Sequence, residues 1–237
     1  MIGGEFVKKT FVHGMRDAIP VGLGYVSIGL AFGIVAAGSG WSWWEVALSS
    51  ILVYAGSAQF ALVSLLLTGD SLLAIAMTVF LINLRNMLMS IHATTFFKKA
   101  PLWEGLFIGS LITDESYGVL MGEAVHNQNI TTSWMHGNNV FSYVSWIVAT
   151  VVGALLGAMI PNPSGFGLDY ALVGMFIGIF IGQWEAMAVS EPVKKLVLIL
   201  LAVKVSFFVA LLVVSQAAAV LIATLCGCLA GVYLDGN

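Results

Sequence analysis

Polar and apolar positions in this chain alternate on the scale of whole segments rather than single helix turns. Eight apolar runs cover 20–38, 44–68, 71–92, 103–123, 140–160, 168–185, 195–214 and 216–234. A run of about 20 apolar residues matches a helix that crosses the bilayer core. Lipid offers no hydrogen bonds, so a spanning backbone has to satisfy itself as a helix. The polar stretch His126 to Asn139 predicts the longest connection, and Pro161-Asn162-Pro163-Ser164-Gly165 predicts a turn. The pattern predicts an all-α polytopic integral membrane protein of about eight hydrophobic elements, one membrane domain over 1–237, with 1–19 as a cytoplasmic N-terminal segment.

Basic residues then constrain how those elements cross. They cluster at Lys8, Lys9 and Arg16, at Lys98 and Lys99, and at Lys194 and Lys195. Positive loops favour the cytoplasm. If all eight runs cross from a cytoplasmic N-terminus, the Lys98 pair lands outside, against that rule. The conflict disappears if 44–68 enters and leaves on one side as two half-helices broken at Tyr54-Ala55-Gly56-Ser57-Ala58-Gln59. The same device in 168–185, around Gly178 and Gly182-Gln183, brings the Lys194 pair inside. A short internal echo fits this plan: Tyr25-Val26-Ser27 matches Tyr143-Val144-Ser145, and Ala47-Leu48 followed by Gln59 matches Ala171-Leu172 followed by Gln183. The two copies would form an inverted repeat with two broken segments, a known plan of transporter folds. Simple crossing helices remain the alternative plan.

Composition removes other classes. The chain is 59% hydrophobic and 9% charged, with a mean hydropathy of +0.99, more apolar surface than a water-soluble domain can hide. No basic patch with interleaved aromatics points to nucleic acid. Cys226 and Cys228 lie two apart, on different sides of a helix, and read as packing residues. The four histidines show no metal-ligand spacing, and there is no ATP-binding loop of the Gly-x-x-x-x-Gly-Lys-Ser/Thr type, so no metal or cofactor is expected. Glycines four apart recur in most runs and predict close helix packing. Trp41, Trp43, Trp44, Trp103 and Trp184 fall near run ends, as an aromatic belt requires.

Three groups of residues carry candidate chemistry. At a break in 44–68, the start of the second half-helix would present free N–H groups and partial positive charge at membrane depth, with Tyr54, Gly56, Ser57 and Gln59 around it. An unbroken helix with Gln59 bonding a neighbour is the alternative. Arg85 sits inside the run 71–92, between Asn83 and Asn86. A guanidinium at that depth costs roughly 2.5–3.5 kcal/mol on insertion scales, so it faces an interior and has a partner. It either binds a substrate carboxylate as a bidentate fork or locks to an acid on another helix. Asp114 and Glu115 in the next run are the best partners, with Tyr117 on the face of Asp114. The acid nearer Arg85 would stay charged, leaving the other to carry a proton or bind an amine. Gln183 and Lys204 are secondary candidates, Lys204 with snorkelling as its plainer reading.

At these residues the sequence resembles the AzlC family, the large subunits of bacterial branched-chain amino acid exporters. The likeness rests on Pro20…Gly24-Tyr25, Ala31-Phe32-Gly33, Tyr54-Ala55-Gly56-Ser57-Ala58-Gln59-Phe60, Asn83-Leu84-Arg85 and Thr113-Asp114-Glu115, and it runs from about residue 14 to 235. The resemblance implies export of leucine, isoleucine and valine, with methionine and azaleucine in range, a small AzlD-type membrane subunit as partner, and a bacterial cytoplasmic membrane location. A buried acid that exchanges protons would supply the drive. The alternatives are a passive channel or importer of another small solute, an intramembrane enzyme using Asp114 and Glu115, and a structural membrane subunit.

Overall fold

A computed structural model describes residues 9–126, 129–159, 177, 180–181, 184, 187–188, 191–214 and 216–235. All regular elements among them are helical. The chain divides into two compact units, Met1–Leu172 and Val173–Asn237. In the first unit the order is α1 (Phe11–Asp17), α2 (Ile19–Gly38), α3 (Trp43–Leu52), α4 (Gly56–Leu67), α5 (Leu72–Thr94), a 3-10 turn (Thr95–Phe97), α6 (Leu102–Ser110), α7 (Asp114–His126) and α8 (Thr132–Gly157). Among the described residues of this unit, α2, α5 with its 3-10 extension, and α8 are the helices long and apolar enough to cross a bilayer.

The run 44–68 is broken where the sequence predicts it. Tyr54 adopts φ 42°, a left-handed backbone that costs a non-glycine residue about 1–3 kcal/mol. Packing holds it there: Tyr54 stacks edge-on against Tyr143 at 4.7 Å between centroids and clusters with Tyr25 and Trp146. The chain then folds back. Gln59 on α4 donates to Ser49 and Ser50 of α3, both at 3.0 Å, so the two half-helices run antiparallel. Trp146 Nε1 of α8 donates to Gln59 Oε1 at 2.8 Å, and Ser50 and Thr150 share a hydrogen bond of 2.8 Å. Gln59 is fully buried, and its amide ties the hairpin to α8. Gln59→Leu therefore strands the Trp146 indole N–H and removes one hydrogen bond each from Ser49 and Ser50. It should lower stability by about 1–3 kcal/mol, read as a lower melting temperature in detergent.

The run 103–123, read from sequence as one crossing, is also broken. α6 ends at Ser110 with tight closures, Leu111 N–H to the Ile108 carbonyl and Ile112 N–H to the Gly109 carbonyl. α7 starts at Asp114, where Thr113 and Ser116 cap each other: Thr113 N–H donates to Ser116 Oγ at 3.0 Å, and Ser116 N–H to Thr113 Oγ1 at 3.3 Å. Exposed ends at membrane depth need partners, and neighbours supply them. Ser90 of α5 donates to the Gly109 carbonyl, Asn139 of α8 to the Ile108 carbonyl, Asn138 to the Ser116 carbonyl and Tyr143 to the Ile51 carbonyl.

α2 and α8 run parallel and close together: Gly22 meets the Phe141 ring, Gly29 meets Ala149 and Gly33 meets the Thr150 and Ala154 backbone, while Gly14 of α1 meets the Trp134 carbonyl. This corrects the expectation that Tyr25 and Tyr143 mark inverted copies. The inversion lies instead within the first unit. α2 is followed by the α3–α4 hairpin, and α5, running the opposite way, by the α6–α7 hairpin. The hairpins enter from opposite sides, and their tips come together where Leu111 packs against the aromatic cluster that holds Tyr54, with Tyr25 Oη of α2 bonding Thr113 Oγ1 at 2.7 Å.

Lys9, Arg16, Lys98 and Lys99 all fall on the side where α1 lies. Glu45 and Asp70 lie at the opposite ends. The positive-inside rule favours the side carrying α1 as the cytoplasmic one. Residues 129–131 belong to it too, because Thr131 Oγ1 donates to the Lys9 carbonyl. Lys9 anchors the first helix through Asp17 at 2.8 Å and Glu123 at 2.6 Å, and Trp134 Nε1 donates to Asp17 at 2.9 Å. Burial opposes both charges. Hydrogen bonds to Asp17 and Glu123 nevertheless raise the Lys9 pKa, and those from Lys9 and Trp134 lower that of Asp17. The Lys9 contribution is full below the ordinary lysine value and fades as pH rises through the raised one. That of Asp17 is full above the ordinary aspartate value and fades as pH falls through the lowered one. The anchor should hold unchanged from about pH 5 to 9, so tryptic cleavage after Lys9 in intact membranes should show no protonation step near neutrality.

In the second unit α9 (Val193–Leu211) and α10 (Gln216–Asp235) form an antiparallel pair, with Gly227 against Val203 and Gly231 against Ile199. Lys204 is exposed on α9. The break expected in 168–185, with Gly178, Gly182 and Gln183, lies outside the described residues.

Candidate functional site

Arg85 reaches the two hairpin tips at once. Its Nη2 lies 2.8 Å from Asp114 Oδ2 and donates to Ser57 Oγ at 3.0 Å. Ser57 stands in the first turn of α4 and Asp114 in the first turn of α7. The first turn of α4 carries no acid, so its free N–H groups and Arg85 form a positive pole. The first turn of α7 carries Asp114 and Glu115, which complement its positive end. Glu115 accepts a hydrogen bond from Tyr25 Oη at 2.9 Å. Of the two acids, Asp114 is thus the partner of Arg85, and Glu115 is held by a hydroxyl.

Asn83 and Asn86 share the other side of α5. With Tyr54 they close the deep end of a cavity of about 830 Å³ between α5 and α6. Its walls include Met87, Ile91 and Leu106, and it runs to Lys98 and Leu102 on the side where α1 lies. Buried polar atoms in folded proteins are nearly always hydrogen-bonded. Here Tyr54 Oη, Asn83 Oδ1, Asn86 Oδ1 and Arg85 Nε are buried without a partner. Three of these four unpartnered atoms belong to residues at the inner end of one cavity.

The structure therefore brings together Tyr54, Gly56, Ser57, Asn83, Arg85, Asn86, Asp114 and Glu115 from the sequence-derived set. Gln59 sits one turn along α4 in the buried network with Trp146. Tyr117 lies apart, its hydroxyl 2.7 Å from His92 Nδ1 on an exposed face. Lys204 belongs to the second unit, and Gln183 is not described. Sequence reading assigned no site role to Tyr25 and Thr113. Their signals were present, as a tyrosine in an otherwise apolar span and a threonine followed by Asp-Glu-Ser, the pattern of a helix start.

Three crossing helices, two hairpins meeting at mid depth on an ion pair, and a cavity opening to one face describe a multi-pass membrane transport protein. The family model for the AzlC protein matches residues 20–160, and the chain belongs to the AzlC family. It is 29% identical over 231 residues to the inner membrane protein YgaZ of Escherichia coli (strain K12), covering 94% of this chain and 89% of that one. It is 24% identical over 179 residues to the branched-chain amino acid transport protein AzlC of Bacillus subtilis (strain 168), covering 75% of this chain and 69% of that one. An uncharacterized membrane protein of Archaeoglobus fulgidus is 28% identical over 189 residues, 79% of this chain and 82% of that one. No solved structure matches. The names of the family and its relatives point to transport rather than catalysis.

Proposed function

We propose that this chain is the large subunit of a proton-coupled exporter of branched-chain amino acids, working with a small AzlD-type membrane subunit. The observation that carries the reading is the Arg85–Asp114 pair between two half-helix starts, beside an apolar cavity whose inner end holds unpartnered polar atoms. A branched-chain amino acid is a zwitterion with an apolar side chain. Its carboxylate suits Arg85 and the free N–H groups of α4. Its ammonium, with three donors, suits Tyr54, Asn83 and Asn86, with Asp114 as counter-ion once Arg85 turns to the carboxylate. Met87, Ile91 and Leu106 provide an apolar wall for the side chain. The cavity opens on the cytoplasmic side, where an exporter loads, and the substrate name of the Bacillus subtilis relative supports the same class.

Asp114 and Glu115 separate binding from coupling. Asp114→Asn should weaken leucine binding, whereas Glu115→Gln should leave binding within about twofold and abolish acceleration of efflux by a proton gradient. Leucine, isoleucine and valine efflux from preloaded cells, with the gradient intact and collapsed, measures both. Efflux that ignores the gradient in the unsubstituted protein would indicate a passive channel.

A further inference from the structure

Tyr25 is absent from the binding reading above, yet among the described residues its hydroxyl is the side-chain hydrogen-bond partner of Glu115. Its ring is buried in α2, 5.1 Å from Trp146 in an edge-on contact. Its hydroxyl bonds Thr113 Oγ1 at 2.7 Å and Glu115 Oε2 at 2.9 Å. On its other side Tyr54 packs in the same aromatic cluster, with its own hydroxyl beside Tyr25 and Thr113. Tyr54 also lines the cavity, and its hydroxyl makes no hydrogen bond of good geometry. A row of hydroxyls thus leads from the inner end of the cavity to the acid: Tyr54, then Tyr25 with Thr113 at its side, then Glu115. The left-handed backbone at residue 54 points the same way, since a strained tyrosine at a hairpin tip has to be held in place by what surrounds it.

We infer that Tyr25 is a proton-relay residue connecting Glu115 to the substrate cavity. The inference rests on the proton-coupled reading of Glu115. Protonated Glu115 gives its proton to Tyr25 Oη as Tyr25 passes its own to a water or to Tyr54 at the cavity end, and the reverse sequence reloads the acid. One proton enters the row and one leaves it, so no hydroxyl stays ionised. The groups facing Glu115 are Tyr25 from α2, Tyr54 from the hairpin tip, Asp114 from its own helix and, through Asp114, Arg85 from α5. Asp114 beside it is already committed to Arg85, so the Tyr25 hydroxyl is the hydrogen-bonded step from Glu115 toward the cavity.

The test compares net export with exchange in proteoliposomes holding the complete transporter. Exchange of labelled for unlabelled leucine does not require the proton to leave the acid, whereas gradient-driven net export does. Tyr25→Phe keeps the ring and removes the hydroxyl. It should cut gradient-driven export by about tenfold or more and displace its pH profile, with exchange within about twofold of the parent. Tyr117→Phe, which removes a tyrosine hydroxyl of α7 that lies outside the row, should retain at least about half of the export rate. Tyr25→Phe with unchanged net export and pH profile would overturn the relay, as would equal loss of exchange and export, which marks a structural tyrosine. If Glu115→Gln keeps gradient-driven export, the coupling role of Glu115 fails and the relay with it. If Glu115→Gln uncouples and Tyr25→Phe does not, only the relay fails.

Discussion

Arg85→Ala abolishes export while leaving the protein in the membrane. The side chain holds Asp114 and Ser57, the first turns of two half-helices that have no other covalent or ionic tie at that depth. Removing one partner of a fully buried ion pair costs about 3–5 kcal/mol, and this part-buried pair should fall at or below the lower end of that range. The same loss falls on substrate binding, since the guanidinium is the proposed carboxylate ligand. Each 1.4 kcal/mol is about tenfold, so leucine efflux should drop by at least about a hundredfold. Arg85→Lys keeps the charge but cannot span Asp114 and Ser57 with a planar fork, and it should recover only a small part of the rate. Efflux normalised to protein in the membrane measures both. Wild-type efflux from Arg85→Ala at wild-type abundance would remove Arg85 from the site.

Gly33→Ala destroys the fold rather than the activity. A methyl at residue 33 would lie 2.1 Å from the Thr150 carbonyl oxygen and 2.4 Å from the Ala154 nitrogen, both backbone atoms of α8. No rotamer change relieves such a contact, so α2 and α8 would have to separate. Overpacking costs about 1–3 kcal/mol where side chains can give way, and this seam should sit at or above the upper end. Gly24 on the same helix has nothing within 4 Å, so Gly24→Ala should be silent. Thermal unfolding of the two variants in detergent separates them, with a loss of well over ten degrees, or no recoverable protein, for Gly33→Ala alone.

How far the sequence disclosed this depends on the residue. The break at 53–55 was legible because the positive-inside rule left Lys98 and Lys99 on the wrong side without it. The break at 111–113 was equally demanded by a helix-start signal, Thr113-Asp114-Glu115-Ser116, but the apolar run around it masked the signal. Without that second fold-back the repeat was placed at Tyr143, whereas α8 lies parallel to α2. That Arg85 would pair with an acid of the next run followed from cost alone, since mid-membrane charges seek one another, but the choice between Asp114 and Glu115 needed the structure. The partition of Asn83 and Asn86 from Arg85 followed from helix periodicity. The engagement of Gln59 by Trp146 could not be read, because the two are 87 positions apart in sequence and meet only through tertiary packing. Tyr25 was missed for the same reason, its partners lying 88 and 90 residues away.

The glycine seam also decides which parts are free to work. Two helices whose main chains touch at successive turns cannot slide or roll, so α2 and α8 act as a rigid chassis. α5, by contrast, buries few of its residues against the rest of the chain and borders the cavity along one flank. Its ionic grip on the tips runs through Arg85, with Ser90 bonded to the Gly109 carbonyl beside the second tip. In the proposed exporter, α5 and the second hairpin are the pieces left to swing when that ionic grip passes to a cargo molecule.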